Sequence, residues 1–131
     1  MSASALTLRA RHRISNKLEF DRVFKAKARK HVGPLTIFAM PNGLPHLRYG
    51  LSVPRRVGNA VTRNRIKRLL REALRHNQHD LPSAPDGGGY DWLIAVRPHE
   101  AMTLEQYADA LRNAAAGLDH VWRKRAHKND G

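Results

Sequence analysis

The chain has 131 residues, enough for one domain that buries roughly two thirds of its unfolded surface without disulfides or metals. It has no cysteine, which excludes disulfides, thiolate zinc sites and cysteine nucleophiles. With 24 Lys and Arg against 11 Asp and Glu, its net charge is +13, which calls for a polyanionic partner, nucleic acid ahead of an anionic membrane surface.

No apolar run approaches the ~20 residues of a membrane span, and the N-terminus lacks the apolar core of a secretory signal, so a cytoplasmic location is expected. The positive charge is concentrated. Residues 1–30 carry nine basic and two acidic side chains, while residues 55–75 carry eight basic ones and Glu72 alone. Those two stretches hold seventeen of the 24 cations, a clustering that a generally solvated basic surface does not require.

In chain order, residues 1–13 lack any period and are expected to form a mobile basic arm. Asn16 with Glu19 matches a capping box and opens a predicted helix over 17–28, with Leu18, Val23 and the Phe20–Phe24 pair along one side. Aromatics at this spacing ordinarily belong to a core. LTIFAM (35–40) alternates as a strand does, with Leu35, Ile37 and Ala39 on one face and Thr36, Phe38 and Met40 on the other. A turn at Pro41-Asn42-Gly43 leads to a second alternating run, LRYGLSVP (47–54).

Asn59 is placed to cap a helix over 60–77. A Pro- and Gly-rich loop (77–89) precedes YDWLIAVRP (90–98), an apolar run read as a buried strand. Thr103 and Gln106 form another capping box, opening a helix to about residue 123, in which Leu104, Leu111, Leu118 and Trp122 recur as core. Residues 124–131 read as a frayed tail. Helices and strands in this order predict a single α+β domain over 1–131, one small sheet packed by helices.

The helix at 60–77 carries the clearest chemistry. At about 100° per residue, Ile66, Leu69, Leu70, Ala73 and Leu74 fall in one stripe that must face the sheet. Arg63, Asn64, Lys67, Arg68, Arg71 and Arg75 fall together on one adjoining flank, with Arg65 apart beside Glu72. Like charges at i, i+4 destabilise a helix by a few tenths of a kcal/mol per pair, so a purely structural helix has little reason to carry them in a row. An anionic partner would remove that repulsion.

Other constellations carry less. His76, His79 and Asp80 lie where a helix ends in a loop, and there is no HExxH, so no transition-metal site is assigned. Gly87-Gly88-Gly89 is followed by neither GK[ST] nor a helix. The acids are too scattered for a metal-dependent nuclease.

The run RYGLSVPRRVGNAVTRNRIKRLLREAL (48–74) resembles the signature region of the bacterial ribonuclease P protein component, with its RNR motif at Arg63-Asn64-Arg65. FDRVF (20–24), IFAM (37–40), the strand ending IAVRP and a C-terminal amphipathic helix occur in the family's order, and the resemblance covers about residues 9–125. The chain departs from the pattern in an N-terminal extension of about eight residues and a longer loop at 79–89.

The resemblance implies an αβββαβα domain with about four strands and a left-handed βαβ crossover. It implies a protein subunit of the endoribonuclease ribonuclease P, binding the ribonuclease P RNA and the 5′ leader of precursor tRNA. Hydrolysis would be performed by the RNA with Mg²⁺, so no catalytic residue is expected in the protein, and any protein ligand of a bridging metal is left unassigned. Carried over by position, Arg63, Asn64, Arg65, Lys67, Arg68 and Arg71 would contact the catalytic RNA, and Arg55 and Arg56 would extend that surface. Phe20, Phe24 and Phe38 would line the leader cleft, with Phe20 partly exposed and Val23 better buried. Neither a membrane nor an obligate protein partner is implied.

The chief alternative is a ribosomal-type binder of structured RNA with no hydrolase role. A DNA-binding regulator is disfavoured because a strand and Pro54, rather than a short helix, precede the basic helix. A membrane-surface role lacks the apolar anchors that insertion needs.

Overall fold

The structure, a computed structural model, describes residues 10–130. Its elements are α1 (Lys17–Lys25), β1 (Arg29–Val32), β2 (Leu35–Pro41), β3 (Arg48–Ser52), α2 (Ala60–Asn77), β4 (Tyr90–Val96) and α3 (Leu104–Asp130). The four strands form one sheet in the order β1-β2-β4-β3. β2 pairs antiparallel with both β1 and β4, whereas β3 and β4 run parallel, as they must when α2 carries the chain from one to the other.

β4 sits inside the sheet and is covered on both faces, which explains its nearly continuous apolar sequence. One face of the sheet holds the main core. Leu35, Ile37 and Ala39 of β2 and Tyr90, Trp92, Ile94 and Val96 of β4 meet Ile66, Leu70, Ala73 and Leu74 of α2 there. The buried stripe of α2 is the one its periodicity predicts, with Leu69 half-buried at its margin. Ala114, Ala115 and Leu118 close the core from α3, and small residues there let that helix approach α2 closely.

Capping follows the sequence. Asn16 Oδ1 accepts from Glu19 N, Asn59 Oδ1 from Thr62 N and Thr103 Oγ1 from Gln106 N. α2 and α3 are joined by the buried Asn77 side chain, which donates to the Ala108 carbonyl and accepts from Arg112. Tyr90 ties α3 to the sheet by donating to Asp119 at 2.8 Å, and burial with that bond raises its phenol pKa well above the usual value.

Four expectations are corrected. Of the expected arm, residues 1–9 lie outside the described residues, but residues 10–14 pack against β3: His12 and Ile14 are buried, and Ile14 N donates to Tyr49 O at 2.8 Å. α1 ends at Lys25 rather than 28, because Lys27 takes a left-handed turn at φ 58° that starts β1. Leu18 is not on the packed side of α1; it is 77 % exposed, whereas Val23 is 1 % exposed. α3 does not fray after 123 but runs to Asp130, because Trp122 Nε1 donates to the Ala39 carbonyl and Arg125 Nη1 to the Ala26 carbonyl.

On the opposite face of the sheet a smaller cluster of Ile14, Val23 and Leu93 seats α1, with Phe20, Phe38 and Met40 around it. Phe20 lies directly over Gly50, where an added Cβ would stand 2.7 Å from the ring and from Leu93 Cδ2. Gly50→Ala is therefore expected to lower unfolding stability by about 1–3 kcal/mol in a urea titration; unchanged stability would show that the Phe20 ring moves aside freely.

Candidate nucleic-acid interface

The first part of the site is the polar flank of α2. With Ile66, Leu70, Ala73 and Leu74 in the core, Asn64, Arg65 and Arg68 are exposed and Arg63, Lys67 and Arg71 half-buried. None of these five cations forms an ion pair among the described residues. The single acid of α2, Glu72, is taken by Arg75, whose hydrogen bonds of 2.6 and 3.0 Å hold the carboxyl below its ordinary pKa. Arg75 thereby leaves the row of free cations.

Arg63 does two jobs by position: its Nε donates to the Gly58 carbonyl at 3.1 Å, fixing the turn that leads into the helix. Arg55 and Arg56 stand exposed in that turn, a short 3₁₀ segment (Arg55–Val57) at the end of β3. Arg65 faces elsewhere, into a groove with Met102 and Tyr107 of the α3 side, so it is not part of the same row. The predicted RNR surface is therefore two-sided, as the wheel position of Arg65 implies.

The second part lies on the sheet face that α1 only half covers. Cross-strand partners share a face, so register alone arranges that surface in rows. Arg48 and Asp91 form one row with Met40; Gly50, Leu93, Phe38 and Arg29 form the next; Ser52, Ala95, Thr36 and His31 form the third. The first row is a clamp: Arg48 bonds both oxygens of Asp91 at 2.8 and 2.7 Å and also reaches Glu19 of α1. Those acids raise the Arg48 pKa, the Asp91 hydrogen bond most.

The second row carries the aromatic wall. Phe20 rests over Gly50, and Phe24 meets Phe38 edge to face at 4.7 Å. Phe20 and Phe38 are half-buried and Phe24 is 40 % exposed, so each keeps some ring surface outside the core. In the third row Ser52, Ala95 and Thr36 make a floor of small side chains, none of them buried, closed at the β1 edge by His31, which is hydrogen-bonded to Thr36 at 2.8 Å. Four strands at about 4.8 Å spacing make this floor about 14 Å across.

The two parts meet. A cleft of about 510 Å³ is lined by Phe20, Gly50 and Leu51 on the sheet side and by Lys67 and Arg71 of α2, with Arg13 at its edge. Arg13 is held there by its bridge to Tyr49. Sequence reasoning missed Arg13, because the run before Asn16 shows no period, and missed the Ser52–Ala95–Thr36–His31 floor, because that row exists only once the register is known. A groove with aromatic edges, a shallow floor and cations at its end suits an unpaired polyanionic strand: bases stack on rings with little sequence preference while phosphates meet Arg and Lys.

The fold and this groove thus define a basic α+β domain with an aromatic-edged groove beside a cationic helix. Comparisons with known proteins give the class a family. The ribonuclease P family model matches residues 8–119. The chain is 40 % identical over 124 residues to the ribonuclease P protein component of Chromobacterium violaceum, covering 94 % of this chain and 96 % of that one. It is 34 % identical to the corresponding protein of Exiguobacterium sibiricum over 119 residues, covering 89 % and 97 %. The solved structure of the Staphylococcus aureus RNase P protein superposes with a TM-score of 0.66 at 28 % identity, covering 79 % of this chain and 91 % of that one. That of Thermotoga maritima gives 0.66 at 25 % identity, covering 77 % and 92 %. The chain belongs to the ribonuclease P protein family, whose role is in the processing of tRNA 5′ leaders together with an RNA subunit. The ribosomal-type alternative is thereby set aside.

If the α2 flank with Arg55 and Arg56 neutralises about six phosphates, the logarithm of RNA affinity should fall against the logarithm of salt with a slope of about −4 on the single-strand calibration. A filter-binding titration across salt concentrations measures it; a slope near zero would contradict an electrostatic interface.

Proposed function

We propose that the α2 flank docks the chain onto the catalytic RNA of ribonuclease P while the groove between α1 and the sheet holds the 5′ leader of precursor tRNA. The observation that carries this reading is the shared cleft: Phe20 on one side and Lys67 and Arg71 on the other line the same space. A strand leaving RNA docked on α2 enters the groove with no gap between the two surfaces.

In this reading the protein supplies binding and orientation rather than bond cleavage. Arg63, Asn64, Lys67, Arg68 and Arg71 position the RNA by its backbone, as Arg does through its planar fork. Arg55 and Arg56 lengthen that contact, and Arg65 meets RNA from the other side of the helix. Phe20, Phe24 and Phe38 stack leader bases without reading them, which suits an enzyme whose substrates differ in leader sequence.

Hydrolysis rests with the RNA and Mg²⁺. Mg²⁺ takes oxygen ligands and binds readily to phosphates, and no group of three His, Asp or Glu among the described residues is placed to hold a metal. The complex would work in the cytoplasm; no helix among the described residues is long and apolar enough to cross a membrane.

The test is cleavage of precursor tRNA at low Mg²⁺ by the protein, a bacterial ribonuclease P RNA, and the two combined. Activity is expected only in the combination. In that assay Arg63→Ala with Arg68→Ala should raise the protein concentration needed for half-maximal rescue by tenfold or more, two phosphate contacts at about 1 kcal/mol each. Phe20→Ala with Phe38→Ala should leave assembly intact and weaken binding of leader-bearing substrate by about 1–3 kcal/mol per lost stack. Equal effects of both pairs on assembly would overturn the division of labour.

A further inference from the structure

A second concentration of positive charge lies away from α2, and apart from Arg29 at the end of the aromatic row none of it belongs to the interface described above. Lys25, Lys27, Arg29 and Lys30 follow one another through the end of α1, the left-handed turn and β1. Lys124 and Lys128 lie one turn apart on α3. No side chain of these six is hydrogen-bonded or ion-paired within the described residues, whereas Arg123 on the same helix pairs with Asp119.

The two groups are held together. Arg125 donates to the Ala26 carbonyl at 2.8 Å and stacks at 4.7 Å on Trp122, which in turn is bonded to Ala39 of β2. Lower on the same helix, the Lys30 side chain lies against Gly117, so closely that a Cβ there would stand 2.8 Å from its Nζ. The last turns of α3 are thus fixed beside the α1–β1 turn, and Lys124, Arg125 and Lys128 line one open side of that helix together with Val121.

Position says what this surface meets. β1 and β3 are the two opposite edges of the sheet, so RNA docked on α2 beside β3 is a full sheet width away. The aromatic groove, in contrast, runs straight into it: Arg29 is the cross-strand partner of Phe38, and Lys25 follows Phe24 in the chain. Residues 120–131 add four Lys and Arg to this surface against one acid, Asp130.

We propose that the β1 edge and the last turns of α3 form a cationic track for single-stranded leader RNA that has crossed the aromatic groove, so that this chain grips long leaders more tightly than short ones. The inference rests on the groove's assignment to the leader and extends it to a further stretch of the same strand.

The test uses holoenzyme reconstituted with a bacterial ribonuclease P RNA and precursor tRNA carrying no leader, a leader of about five nucleotides or one of about twenty. The variant Lys25→Gln, Lys124→Gln and Lys128→Gln changes three exposed side chains and should melt as the wild type does. It should bind the long-leader substrate about tenfold more weakly, with the salt slope reduced by about 2, and bind the other two substrates unchanged. Replacing the same three lysines by Arg should restore the long-leader affinity. Equal losses for all three substrates would overturn the proposal, because the surface would then serve the catalytic RNA or the tRNA body. No loss for any substrate would overturn it too. In the wild type, a gain from no leader to short leader with none from short to long would refute the track alone; no gain at either step would refute the groove as well.

Discussion

The site depends on one clamp. Arg48, near one end of β3, bonds both carboxylate oxygens of Asp91 in the neighbouring strand and reaches Glu19 of α1, joining two strands and a helix through a single guanidinium. All three side chains are largely withdrawn from water, so removal of Arg48 leaves two carboxylates without a counter-charge, the costly way to break such a network. Its geometric consequence matters more than its energy. Glu19 is followed by Phe20, and Arg48 is two residues before Gly50, so holding the first pair together sets the Phe20 ring down on the one strand position without a side chain. From there the wall of Phe20, Phe38 and Phe24 and the open row beside it follow from strand register.

The same register links the groove to the helix. β3 and β4 are parallel neighbours, so α2 must return the chain across the sheet, and its apolar stripe fixes its rotation about its own axis. Once Leu70, Ala73 and Leu74 are buried, Lys67 and Arg71 have to emerge beside β3, at the mouth of the groove. Packing energy therefore aims the cations, and electrostatic repulsion among them is tolerated because burial of the other side outweighs it: a few tenths of a kcal/mol per pair against roughly 1.5–3 kcal/mol per large aliphatic.

How much of this was legible from sequence follows the same logic. α2 was readable to its cap because Asn59, an apolar stripe and a one-signed flank all agree over eighteen residues. β2 and β4 were readable from alternation and from a continuous apolar run. β1 was not, since RKHV at a sheet edge has no buried face to impose a pattern, and charged residues there blunt the edge. The last turns of α3 resembled a frayed tail because their ties to Ala39 and Ala26 come from residues more than eighty positions away. Arg13 and the small-residue floor were hidden for the same reason: each gains its meaning from strands that are distant in sequence. The Phe20–Phe24 spacing suggested a core pair, and the structure divides the difference, since Phe20 packs on Gly50 while Phe24 keeps 40 % of its surface exposed.

The central claim is that one cleft serves both RNAs, with the leader between Phe20 and the Lys67–Arg71 edge. The most direct measurement is photocrosslinking from single 4-thiouridines placed along the leader of precursor tRNA in the assembled holoenzyme, with the attached peptides mapped by mass spectrometry. The account predicts leader crosslinks within Phe20–Phe24, Thr36–Met40 and Lys67–Arg71. Crosslinks to those segments from the catalytic RNA alone, with the leader attached elsewhere on the protein or not at all, would contradict it.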